Sequence, residues 1–407
     1  MQRSKFLLAF GAGTALALTL SACGSSADAS GSDSDPIILG TTLPLTGPLG
    51  IFGPPIQAGY EQAIKKINDA GGVEVGGAKR QLKLVVKDSK SDPTVVTSTA
   101  KSLINDENAV ALLGSVTPPL TIPFSVVADQ EQIPAISPLT PTLAWLGANQ
   151  SGWKYAYNVF IDEVAQTAVN FQASDLVQTN KKVALFTDTG EDGKAMGALW
   201  EAQAPKHGYS IVYRANFPVG TTDFSQFVQK AKDADAEVMI AQVIPPDAVA
   251  LWKQMKSLGY SPKTAWPEKG GTVGFADGAG ALAEGASVFG WWSPSNGNVG
   301  GEVVYNANTA KYGDGLGSQT VVASYAMVEV LADALKRAGS TDPDALNKAL
   351  GETKDLDTVW AKITIGPDHR AVVPATAVQW QGKTQVTVWP ADQATGKFMS
   401  PVPGLTE

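Results

Sequence analysis

The stretch PIILGTTLPLTGPLGIFGPPIQAGYEQAIKKINDAGG, Pro36 to Gly72, carries the reading of the fold. Its opening PIILG is apolar and partly β-branched, which suits a strand buried on both faces. After a Pro- and Gly-rich loop, Ile56, Tyr60, Ala63, Ile64 and Ile67 recur on one helical face, and Gly71 and Gly72 supply the stop. A buried strand leading into an amphipathic helix is the repeating unit of a parallel sheet.

The unit recurs. LKLVV reads as a strand, and DPTVVTSTAKSLIND as a helix with an Asp–Pro start and a stripe of Ala100, Leu103 and Ile104. AVALLG, a helix from about Leu120, and PAISP continue the pattern. A second set follows in KVALFTD, GKAMGALWEAQAPKHG, SIVYRANFP, DFSQFVQKAKDA, AEVMIAQV and DAVALWKQMKSLG. At 407 residues the chain exceeds one typical domain. The expectation is therefore an α/β fold of two doubly wound parallel-sheet lobes with a ligand cleft between them. Loops after strand ends, GSVTPPLT, SPLTPT, TDTGEDG and IPPD, would line that cleft.

Composition narrows the function. Hydrophobic residues make up 44% and charged residues 17% of the chain, enough apolar content for a real core. The net charge of −8 argues against nucleic acid as a partner. At the N-terminus, Arg3 and Lys5 precede the apolar run Phe6 to Leu20, which is short for a membrane span and reads as a secretory signal. The only cysteine, Cys23, follows at once in LSAC. This motif resembles the bacterial lipobox, which implies cleavage after residue 22 and a lipid on Cys23. Two or more acyl chains would anchor the protein stably. The segment 23–35 reads as a flexible tether, and with no second cysteine no disulfide is expected.

The folded part resembles the solute-binding lipoproteins of ABC importers of the branched-chain amino acid type, within the type I periplasmic binding proteins. The resemblance rests on GTTLPLTGPLGIFGPPIQAGYEQAIKKINDAGGV, Gly40 to Val73, and on DSKSDPTVVTSTAKSLI, LLGSVTPPLT, IPAISP, FPVGTTDFSQFVQKAKDADAEVMIA and WKQMKSLGYSP. It implies lobe one over 36–158 plus 290–345, lobe two over 159–289 plus 346–395, and a C-terminal tail over 396–407. It also implies a monomer on the outer face of the cytoplasmic membrane that closes on an amino acid or related small polar solute. The closed form would dock on an ABC permease. A sensor feeding a partner receptor is the alternative.

Site residues follow from the resemblance. In lobe one a hydroxyl and backbone N–H groups hold the ligand carboxylate, on loops matching GSVTPPLT and the one after ISP. The family serine falls at Pro118, or at Thr117 if the alignment slips by one. Proline brings no N–H and no polar side chain, so the carboxylate clamp is weakened. Ser115 and Thr117 remain, Leu139 and Thr140 lie on the second loop, and Thr140 and Thr142 are candidate replacements. Pro118 and Pro119 also suit a helix start. In lobe two, Glu268 of WPEKGG matches the acid that pairs with the ligand ammonium; the alternative is a solvated turn beside Lys269. Asp192 stands where the family has an aromatic residue and is either a contact or a helix-start acid. Phe52 is placed against the ligand. Tyr325 and Trp145 are each a cleft or a packing residue, and Trp291 and Trp292 suit a core or hinge.

An exported enzyme is the rival class. GxSxG, Walker A and HExxH motifs are absent from the sequence, and His207 and His369 lie in surface-looking stretches without metal-ligand spacing. No catalytic residue, metal or cofactor is expected.

Overall fold

The computed structural model describes residues 35–271, 273–295, 298–313 and 315–406. The signal segment, Cys23 and the tether to residue 34 lie outside the described residues.

Lobe one opens with β1 (Ile37–Leu43), α1 (Gly53–Asp69), the hairpin β2 (Val73–Val75) and β3 (Ala78–Arg80), and β4 (Leu82–Asp88). Ile56, Tyr60, Ala63 and Ile64 are the buried face of α1, as their spacing predicts. α2 (Pro93–Asn105) starts at Asp92, whose Oδ1 accepts from Thr94 N (2.7 Å) and Val95 N (3.3 Å), the N-cap that the Asp–Pro signal foretells. β5 (Ala111–Leu113), α3 (Pro118–Glu131), β6 (Ala135–Pro138), α4 (Thr142–Gly147) and β7 (Ala156–Phe160) complete the first passage.

The chain then enters lobe two: α5 (Glu163–Ser174), β8 (Lys182–Asp188), α6 (Glu191–Gln203), β9 (Ser210–Phe217), α7 (Ser225–Asp233), β10 (Val238–Gln242), α8 (Pro245–Ser257), β11 (Thr264–Pro267), α9 (Val273–Ala279) and β12 (Ser287–Gly290). It returns with α10 (Gly301–Tyr312), α11 (Leu316–Ala338), α12 (Pro343–Gly351), β13 (Leu356–Asp357), β14 (Lys362–Ile363) and β15 (Arg370–Val372). It ends with β16 (Thr376–Gln381) and β17 (Thr384–Trp389).

Lobe one carries a six-stranded sheet in the order β15-β7-β6-β5-β1-β4 and lobe two a four-stranded sheet in the order β11-β10-β8-β9. All pairings within both sheets are parallel. Alternate residues feed opposite cores, as a sheet covered on both faces requires. Val183 and Leu185 join one cluster, Ala184 and Phe186 the other.

Four features depart from or add to the expectation. Residues 346–373 sit with lobe one, not lobe two. There β15 pairs with β7 in the register Arg370↔Asn158, and Tyr157 Oη bonds the Asn347 carbonyl of α12 at 2.9 Å. The tail is docked: Val402 and Leu405 are buried in the lobe-two core, and Gly404 N donates to Glu284 O at 3.0 Å. A further sheet, β12-β16-β17, is antiparallel. His369 is half-buried rather than a surface residue, stacked on Tyr157 with ring centroids 4.3 Å apart.

Candidate solute-binding cleft

Strand order locates the cleft. In lobe one the chain runs from β1 to β4 on one side and then to β5 on the other, so order reverses between β1 and β5. In lobe two it reverses between β8 and β10. Ligands of open α/β sheets bind outside the strands' carboxyl ends at such points. β7 ends at Phe160 and β15 at Val372, and from both ends the chain passes directly into lobe two. The carboxyl edge of the lobe-one sheet therefore faces lobe two.

Gly114 to Thr117 follow β5 at this edge. Tyr60 Oη of α1 donates to Gly114 O at 2.7 Å and pins the strand end. Ser115 is 0% exposed, and its Oγ has no hydrogen-bond partner among the described residues. The same holds for Thr117 Oγ1, on a residue with φ 63°. A buried hydroxyl left unpaired is costly, so these atoms mark a place where a polar partner fits. Pro118 and Pro119 open α3 as its first residues. Leu139, buried at φ 58°, turns the chain after β6. Thr140 is committed internally: its Oγ1 pairs with Thr121 Oγ1 at 2.7 Å and its carbonyl accepts from Asn158 Nδ2 at 2.9 Å. Thr142 Oγ1 lies 3.3 Å from Glu163 Oε2. Neither threonine is left over to replace the missing serine.

α5 links the walls. Glu163, at its start, caps α4 across the lobes, accepting from Leu143 N at 2.8 Å and Ala144 N at 3.1 Å. One and two turns further along α5, Gln166 Nε2 and Asn170 Nδ2 donate to Glu268 Oε2 (3.2 Å) and Oε1 (2.7 Å). Trp200 Nε1 donates to Asn170 Oδ1 at 2.7 Å and fixes the amide's orientation. Glu268 is 1% exposed, so the solvated-turn alternative does not describe it. Burial pushes its carboxyl up to about 7; the Asn170 and Gln166 bonds oppose the rise, nearby Asp192 adds to it and Lys269 opposes it. Asp192, on the first turn of α6, is half exposed and pairs with Lys269 Nζ at 2.7 Å. It also accepts from Gln242 Nε2 at 2.5 Å.

An apolar-lined cavity of about 450 Å³ is bounded by Phe52, Trp291, Leu316 and Gly271 among others. Gly271, close after Glu268, meets lobe one so tightly that a Cβ there would overlap the Leu316 side chain. Among the residues expected at the site, Phe52 lines this cavity. Ser115, Thr117, Pro118, Leu139, Thr140, Asp192 and Glu268 lie at the strand ends instead. Tyr325 packs in the core, its ring 5.7 Å from Lys66 Nζ of α1, and Trp145 stacks on Trp153 at 5.1 Å; both placements support packing roles. Trp292 stacks toward Tyr305 at 4.9 Å. Sequence reading missed Gln242, whose only signal is an amide ending the apolar run VMIA. It gave Trp291 a core or hinge role, yet its Nε1 has no partner among the described residues.

A family model described as periplasmic binding protein matches residues 36–385. The chain belongs to the periplasmic binding protein family. As such it is a solute-binding protein and not an enzyme. Curated relatives include the Leu/Ile/Val-binding protein homolog 3 of Brucella melitensis, 29% identical over 81% of this chain and 86% of that protein. The Leu/Ile/Val-binding protein BraC3 of Rhizobium johnstonii is 26% identical over 81% and 87%. Among solved structures, a branched-chain amino acid substrate-binding protein of Streptococcus pneumoniae in complex with isoleucine superposes with a TM-score of 0.72. It is 22% identical, covering 87% of this chain and all (100%) of that one. A Rhodopseudomonas palustris solute-binding protein in complex with 3,4-dihydroxybenzoic acid gives 0.69 at 20% identity, over 92% and 100%. These likenesses establish the type I fold of this periplasmic binding protein. No described helix is long and apolar enough to cross a membrane.

Proposed function

We propose that this chain is the lipid-anchored, extracytoplasmic solute-binding component of an ABC importer. Its lobes close over an amino acid or related small polar solute, and the closed form delivers it to a membrane permease. The observation that carries this reading is the pair of facing strand-order reversals, one with Ser115 and Thr117 hydroxyls unpaired, the other beside the Glu268 carboxyl. The solute's polar end meets these walls, and its apolar part occupies the cavity of about 450 Å³, within the size range of small-molecule sites. Closure follows from the solute's greater affinity for the closed arrangement. Relatives named for leucine, isoleucine and valine support the solute size.

A thermal-shift screen over amino acids, amides, urea, polyamines and aromatic acids tests solute capture. A binding solute at about 100 times its Kd stabilises by about 2.7 kcal/mol. A screen with no stabilising compound would count against capture of this solute class. The anchor has its own test. Cys23→Ala, expressed in the native host, is expected to move the protein from the membrane fraction to the soluble fraction. Continued recovery with membranes would contradict lipidation at Cys23.

A further inference from the structure

Resting on the solute-capture reading, we infer that the cleft selects solutes whose polar end is an N–H₂ donor, an amine or a primary carboxamide, and discriminates against a free carboxylate. The helix starts of lobe one, at α3 and α4, are unavailable to an anion. A helix start holds anions through its free N–H groups. In α3 the first residues, Pro118 and Pro119, have no N–H to offer. The next N–H groups, Leu120 and Thr121, turn back to Thr117 O at 3.3 and 2.9 Å. The start of α4 already carries a carboxylate: Glu163, 4% exposed, occupies the Leu143 and Ala144 N–H groups. A second carboxylate there would meet like charge.

Of the unpaired buried atoms at the reversals, Gln242 Oε1 can only accept, and the Ser115 and Thr117 hydroxyls can accept or donate. Gln242 is 2% exposed, its Nε2 is committed to Asp192, and its Oε1 has no partner among the described residues. Ser115 Oγ is free to accept or donate. Asp192 and Glu268 place further acceptors on the lobe-two wall. Two of the nearby cations are engaged, and the third, Lys311, lines the apolar cavity. Lys269 pairs with Asp192, Arg370 with Asp162 and Asp368, and Lys311 is exposed at the cavity, 5.0 Å from the Tyr312 ring. An –NH₂ or –NH₃⁺ group satisfies Gln242 Oε1 and the lobe-two carboxylate oxygens, whereas a carboxylate leaves them unpaired.

A matched panel on the mature protein tests this: isoamylamine, 4-methylpentanamide, leucinamide, leucine and 4-methylpentanoate, each titrated by calorimetry. The expected result is binding of at least one of the three carboxylate-free compounds, with affinity at least tenfold above both carboxylates. Pro118→Ser, which restores an N–H and a hydroxyl to the α3 start, is expected to raise carboxylate affinity at least tenfold, a gain that misfolding does not mimic. Equal or tighter carboxylate binding by the unaltered protein overturns the inference and leaves solute capture standing. Unchanged carboxylate affinity in Pro118→Ser overturns the helix-start argument. Absence of binding across the panel overturns the inference too, and solute capture then rests on the wider screen.

Discussion

Glu268→Gln is expected to weaken binding of an amine-bearing solute at least tenfold at pH 8, about 1.4 kcal/mol, while stabilising the solute-free protein at that pH. Both effects have one cause. The carboxyl is buried, and its pKa rises from 4.5 to about 7 on folding. Because the folded form holds the proton more tightly than the unfolded form, this group's favourable contribution is complete below about pH 4.5. It is lost as pH rises through 7. The loss corresponds to about 3 kcal/mol between those limits. The introduced amide never ionises. It keeps an acceptor for Asn170 Nδ2, and Gln166 can turn its own oxygen toward the new NH₂. Variant and parent should therefore have similar stability at pH 5 and diverge toward pH 8. A cationic solute pairs with the ionised carboxylate, so the parent's affinity for it rises as pH increases through 7, and the variant's stays flat. Denaturation and calorimetry at pH 5, 6, 7 and 8 read both. A pH-independent stability difference, or unchanged affinity at pH 8, would remove Glu268 from this role.

Gly114→Ala is expected to lower stability by about 2–3 kcal/mol through overpacking at the end of β5. A Cβ there would lie 2.5 Å from Ser137 Cα and overlap the Ser137 side chain on neighbouring β6. Gly114 N is also held by Ile136 O at 2.8 Å, and its carbonyl by Tyr60 Oη, so the backbone has little room to retreat. Relief requires β5 and β6 to separate, which moves Ser115 and Thr117 directly after them. Solute affinity should fall together with the urea midpoint. A stability change below about 0.5 kcal/mol, the range of an ordinary surface substitution, would show that the two strands yield more easily than this packing implies.

How much of this was legible in the sequence depended on the range of the interaction. The buried face of α1, the Asp92 cap of α2 and the alternation of strand and helix are local, and sequence reading placed them well. β15 carried no such signal. It is a short strand whose partner, Asn158 to Phe160, lies far back in the chain, and parallel pairing at that distance leaves no turn to announce it. The antiparallel β16–β17 hairpin was missed because strand–helix alternation set the expectation for the whole chain. In the cleft, residue type was legible and partnership was not. WPEKGG pointed to Glu268, but nothing near it announced that amides from α5 would hold both oxygens. In the sequence Thr140 and Thr142 stand as spare donors, and only the fold shows that Thr121 and Glu163 engage them. The prolines of LLGSVTPPLT were legible as a departure from the family; the Glu163 cap on α4, which closes the other anion site, was not.

The central claim is reversible capture of one solute between the lobes. Its most direct measurement is a calorimetric titration with a solute found by the thermal screen, followed by mass spectrometry of the recovered solute. One molecule per chain, released chemically unchanged, is the predicted result. A modified solute, or no saturable binding, would contradict it.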